Sequence, residues 1–221
     1  MGIVDTTSLA GTLNALTLAV LEGRKLSQAD RRAAAWIAGR LKQKGYCGLP
    51  APTEADRHRK LVLFTGEQFG SRAGTGCKLG FEATWALATL DADQPAAAAA
   101  LKTCREIVIG RFVQDRKGMY CCCSCSNAGW RALSVLPGAE PEKYLRLGIE
   151  MLHSCRESNG RWSKFPFWYS VLALSQAQLK QAKQELAFAA PALEKALRKP
   201  DGDDEFAQHR KLLARYVLGR I

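Results

Sequence analysis

Proline is scarce here, 8 in 221 residues, and no alternating apolar–polar run of strand length occurs. The first lack leaves long segments free to be helical, because an interior proline removes a backbone donor and clashes with the preceding turn. The second leaves no pattern on which a sheet could be built. Nor is there an apolar run able to cross a bilayer. Leu9 to Leu21 is too short and is broken by Thr and Asn. No basic stretch precedes it, the first basic residue being Arg24, so no secretory signal is visible and a cytoplasmic setting is expected. Acidic residues are few relative to basic ones, 21 against 32, which leaves a net charge of +11.

What is present fits one helical domain over residues 1–221. The apolar fraction of 47% supports a real core, and the alanine run from Ala96 to Ala100 favours helix strongly. The periodicity predicts helices near 8–22, 27–44, 57–69, 78–92, 95–114, 126–136, 140–156, 166–178, 180–199 and 204–219. Glycines at 45, 70 and 160 and the turns Pro137-Gly138 and Pro200-Asp201-Gly202 punctuate them.

Three segments share a layout in which a Gly-led turn opens a helix ending in an apolar run. These are Gly76-Cys77 with Phe81 to Leu90, Gly118-Met119-Tyr120 with Asn127 to Leu136, and Gly160-Arg161-Trp162 with Phe165 to Leu174. Aligning Leu90, Leu136 and Leu174 brings Phe81, Asn127 and Phe165 into register. Thr84, Trp130 and Trp168 then coincide, as do Trp85, Arg131 and Tyr169. Gly45-Tyr46 starts a degenerate fourth copy. The helix after each turn is rich in aromatics and alanine, and the helix before it is amphipathic and charged. An inner and an outer layer of helices follow from that alternation.

The stretch Gly160-Arg161-Trp162-Ser163-Lys164-Phe165-Pro166-Phe167-Trp168-Tyr169 resembles the repeat of protein prenyltransferase β subunits and squalene cyclases. The resemblance covers about half the chain and implies an all-α fold, tandem helical hairpins forming a partial or complete α/α toroid. It also implies a central aromatic pocket for an apolar or isoprenoid-like molecule, catalytic or not. Trp85, Tyr120, Trp130, Trp162, Phe165, Trp168 and Tyr169 are the expected lining. The Asp, Cys and His set of the zinc-dependent prenyltransferases does not map onto the chain: Asp115 is the nearest acid to the cysteine-rich turn, and His58, His153 and His209 lie in other contexts. The string Asp201-Gly202-Asp203-Asp204 spells the cyclase D-x-D-D pattern, but it precedes a basic helix, where acids stabilise the helix N-terminus without catalysis.

Eight cysteines without an export signal are expected to be thiols. Four cluster in Cys121-Cys122-Cys123-Ser124-Cys125, where Cys122 and Cys125 make a C-x-x-C pair. Two such thiolates could share a Zn²⁺ ion or an Fe–S cluster, with Cys47 and Cys77 the expected partners from neighbouring turns. No second C-x-x-C exists, and packing of a tight turn is the stronger expectation. Glu82 and Arg131, charged on otherwise apolar helices, are expected to pair.

Whether the protein is an enzyme stays open. A second function class competes with the apolar pocket: a basic helical-repeat protein that binds nucleic acid or an acidic protein. Its basis is the charge and the clusters at Arg24-Lys25, Arg31-Arg32, Arg57 to Lys60, Lys195 to Lys199 and His209 to Arg215. Cationic groups lining the concavity favour the second class, and aromatics with cysteines favour the first.

Overall fold

A computed structural model describes residues 2–42, 48–58, 61–68, 72–90, 94–115, 117–200 and 204–221. Among these, α1 (Leu9–Leu21), α2 (Gln28–Arg31), α3 (Ala33–Gly39), α4 (Glu54–His58), α5 (Arg72–Leu90) and α6 (Pro95–Asp115) make the first half. The rest is α7 (Cys123–Leu133), α8 (Ala139–His153), α9 (Phe167–Ser175), α10 (Lys180–Leu197) and α11 (Ala207–Leu218). The protein is all-α; its only bridges among the described residues are the isolated pairs Val62–Gln68 and Arg156–Trp162.

Local chemistry sets the ends. Ser8 caps α1 by accepting from the Gly11 N–H at 2.9 Å. Asp56 reaches the same terminus from α4, accepting from Ser8 Oγ at 2.6 Å and the Leu9 N–H at 2.8 Å. Ser27 and Asp30 form a reciprocal capping box on α2. Gly138 leads into α8 at φ 108°, with Glu140 and Glu142 in the positive first turn.

Burial separates the helices into two kinds, some buried all round and others along one stripe. Every residue of α7 from Cys125 to Leu133 is buried, and on α9 so are Phe167 and Tyr169 to Leu174. By contrast α8 buries Pro141, Tyr144, Leu145, Gly148, Ile149 and Leu152, a single stripe at helical spacing. The helices of the three sequence repeats are neighbours: α5 packs most extensively on α7, and α7 on α9. Further contacts run from α9 to α11, from α11 to α1 and from α1 to α5. The helices α6, α8 and α10 lie against these and against one another, and the buried apolar residues form one contiguous cluster.

Several predicted elements differ. The helix expected over 27–44 is broken at Arg32 into α2 and α3. The one expected over 57–69 is the short α4 followed by a turn whose hairpin-like segment, 61–68, reverses at Gly66 with φ 90°. A side chain at Gly66 would come within 2.7 Å of the Phe206 ring, so the turn is pressed onto α11. Gly76 and Cys77, expected in a turn, lie inside α5, whereas Gly118 and Gly160 do turn, at φ 69° and 75°. Gly45, Tyr46, Cys47, Gly70 and Asp201 to Asp203 lie outside the described residues.

Candidate functional site

Two regions bring together residues able to do chemistry. The first is the start of α7. Cys121 occupies the centre of a γ-turn at φ 56°, closed by the Cys122 N–H donating to the Tyr120 carbonyl at 2.6 Å. The buried Ser126 locks that turn: its Oγ accepts from the Tyr120 N–H at 2.9 Å and lies 2.9 Å from the Cys122 carbonyl. The sulfurs of Cys121, Cys122 and Cys125 all lie within 4.8 Å of one another, Cys121 and Cys122 exposed and Cys125 buried.

The electrostatics of the pair are unequal. Burial alone would raise the Cys122 thiol, but hydrogen bonding to Cys125, the Lys78 charge and the Ser124 N–H together hold it below the usual thiol range. Its sulfur makes no well-formed capping bond to α7, so these are attractions of proximity rather than one aligned hydrogen bond. Burial pushes Cys125 up to about 12, with the neighbouring Cys122 adding to the rise. Burial raises the Cys123 thiol, and the neighbouring Cys122 and Cys155 add to the rise.

Cys77 is disulfide-bonded, against the expectation of a free thiol, so it offers no thiolate to a metal. Its sulfur lies 3.6 Å from the Tyr120 hydroxyl, beside the same turn. Cys47 lies outside the described residues. Of the expected ligands, the structure therefore joins Cys122 with Cys125, and it adds Cys121, which was not among them. His153 is elsewhere, its Nδ1 2.8 Å from Glu185.

The expected lining residues divide by depth. Trp85, Trp130 and Tyr169 are fully buried, Trp162 and Phe165 nearly so, and Tyr120 and Trp168 are half-buried. Trp130 stacks on Phe165 at 5.5 Å, and its Nε1 donates to the Gly118 carbonyl at 2.7 Å. Trp162 stacks on Phe167 and donates to Glu185 Oε2 at 2.9 Å.

At the centre, the aligned residues Trp85, Arg131 and Tyr169 converge. The Arg131 guanidinium lies 3.5 Å from the Trp85 ring centroid and pairs with Glu82. Tyr169 donates its hydroxyl to Glu82 at 2.7 Å, and Thr17 accepts from Arg131 at 2.9 Å. Burial and the Glu82 charge keep the Tyr169 hydroxyl protonated well above its ordinary range. Glu82 and Arg131 therefore pair as expected. The cavity they line is about 10 Å³, closed in part by Leu63 and Phe64 of the 61–68 segment, room for about one water.

The second region is a groove of about 1090 Å³ between the turn at 158–161, α10 and the start of α11. Arg161, Lys195, Lys199, Arg210 and Lys211 line it beside Trp168 and Phe188, with Asp204 the only acid among the described lining residues. Asp204 is already paired with Arg210. Arg161, Lys195 and Lys199 are exposed and have no ion pair among the described residues. Trp168 was expected to line the central pocket, and Lys195 to Lys199 to form a basic cluster; the structure joins them in this groove instead. Phe188 carried no signal of its own in the sequence. Among the described residues, no helix is long and apolar enough to cross a membrane. No family model, curated protein or solved structure matches this chain.

Proposed function

We propose that the protein is an α/α-toroid-type scaffold that binds single-stranded nucleic acid in the groove between the 158–161 turn, α10 and α11. The toroid reading rests on the circuit of contacts through α1, α5, α7, α9 and α11, with α6, α8 and α10 outside it. The binding reading rests on one observation: a groove of about 1090 Å³ sets Arg161, Lys195 and Lys199, cations with no ion pair among the described residues, beside the half-buried rings of Trp168 and Phe188. Cations track phosphates, and aromatic faces accept any base by stacking. An acidic peptide would use the cations and leave the rings without a role. The net charge of +11 adds a long-range field that draws polyanions in.

The central apolar pocket has less support. Among its expected rings Trp130 stacks on Phe165, and the cavity beside Glu82, Arg131 and Tyr169 is about 10 Å³, far below the hundreds of cubic ångströms that a small-molecule site needs.

Binding of a labelled single-stranded oligonucleotide, followed against salt, tests the proposal. Three neutralised phosphates give a log–log slope of about −2, at about 0.7 per phosphate. Lys195→Ala with Lys199→Ala flattens it towards about −0.7. Trp168→Ala weakens binding by about 1–3 kcal/mol, the worth of one stacked base. No binding at low salt sinks the proposal; equal affinity for polyglutamate transfers it to an acidic protein partner.

A further inference from the structure

The cysteine turn is separate from the groove and carries its own inference. We propose that Cys121, Cys122 and Cys125 form a three-thiolate site for a thiophilic divalent cation of the Zn²⁺ class, with a fourth position open to solvent.

Geometry argues for three ligands rather than two. A dithiol needs only Cys122 and Cys125, and the helical first turn already brings those sulfurs together. Cys121 is gathered in by a conformation that side-chain-bearing residues rarely adopt; among the described residues only Cys121 and Lys164 have positive φ without being glycine. Its γ-turn is held in place by the buried Ser126 hydroxyl through contacts on both sides. Strain that a fold takes trouble to maintain points to a use for the side chain it aims.

The spacing fits. Thiolate–zinc bonds of about 2.3 Å put tetrahedral sulfurs about 3.8 Å apart, and these three lie within 4.8 Å before any cation draws them in. Side-chain rotation closes the difference. The charge fits as well: three thiolates and a divalent cation sum to −1, beside the buried Lys78 and the positive end of α7. An iron–sulfur cluster takes four cysteines, and the described residues supply three. Three protein ligands with an open position is the pattern of zinc centres that accept an exogenous ligand.

The test uses the full-length chain with its free thiols kept reduced under argon, titrated with Cd²⁺ as the probe and read by the thiolate-to-cadmium absorption band. The expected result is one Cd²⁺ per chain, displaced by Zn²⁺. Cys121→Ser is the deciding variant, because its side chain is exposed and the substitution leaves the core untouched. It weakens binding by more than the about 10–100-fold that loss of an outer-sphere partner costs, with an unchanged circular dichroism spectrum. Cys123→Ser and Cys155→Ser bind as the parent does. Parent-like binding by Cys121→Ser overturns the proposal, and so does a parent chain that takes up no Cd²⁺ and instead closes a Cys122–Cys125 disulfide in air.

Discussion

Two buried carboxylates in this protein each gather several partners. Glu185 is buried and receives His153, both donors of Arg156 and the Trp162 indole, so one carboxylate ties α8, α10 and the intervening turn together. Trp162→Ala removes both that donor and the stack on Phe167. The expected cost is about 3–5 kcal/mol in denaturant unfolding, and a shift below about 1 kcal/mol would place the ring outside the core. Asp30 is a second such carboxylate. The Arg24 hydrogen bond, followed by the Ser27 backbone and hydroxyl, holds it well below the usual carboxylate range despite its burial. A lowered folded-state pKa means that the stabilisation is complete above the unfolded value of about 3.9 and is lost as pH falls through the folded one. Stability measured from neutral pH downward should therefore decline below about pH 5, and Asp30→Asn should be weaker at neutral pH with a shallower acid decline. Parallel curves for the two proteins would show that Asp30 does not contribute to it.

At the scale of elements, the repeat is carried by backbone approach as much as by aromatic packing. The turn at Gly118 lies so close to α8 that a side chain there would meet the Gly148 nitrogen at 2.2 Å, and one at Gly148 would meet Trp130 Nε1 at 2.2 Å. The two glycines thus let the turn, α8 and the Trp130 indole share one point. Gly148→Ala, although a better helix former on an isolated helix, should destabilise by at least about 1–3 kcal/mol through overpacking. A gain in melting temperature would show that α8 can draw back. The fully buried helices were legible beforehand because each is rich in aromatics and alanine and ends in apolar residues, and the one-sided ones because a stripe at helical spacing survives in the sequence. The error at 57–69 has a cause distant in sequence. The 61–68 segment has an apolar run that reads as helix, but Gly66 turns it back and α11 clamps it, with the Phe64 carbonyl at 2.9 Å from His209 Nδ1 and the Thr65 carbonyl accepting from Arg210 at 2.8 Å. Those partners lie about 145 residues away, beyond any local window.

For the molecule as a whole, one contiguous core runs from α1 to α11, and α1 touches both α5 and α11. Chain ends that meet in this way make partial unfolding expensive, because opening one hairpin exposes the faces of two others. Denaturant unfolding followed by far-ultraviolet and near-ultraviolet circular dichroism should give one coincident transition. Two separated transitions would divide the chain into independent units and remove the basis for reading the circuit as one scaffold.

The sequence by itself determined the helical class, the contrast between fully buried and one-sided helices and the pairing of Glu82 with Arg131. All three follow from periodicity or from the cost of a lone buried charge, which act wherever the chain goes. Tertiary structure alone decided that Trp130 stacks on Phe165 and Trp162 on Phe167, since ring-to-ring distances depend on how closely the helices approach. It alone joined Trp168 to Phe188 and the α10 lysines in a groove, because those residues come from different hairpins. And it alone turned Cys121 towards Cys122 and Cys125, through a backbone angle that no residue type announces.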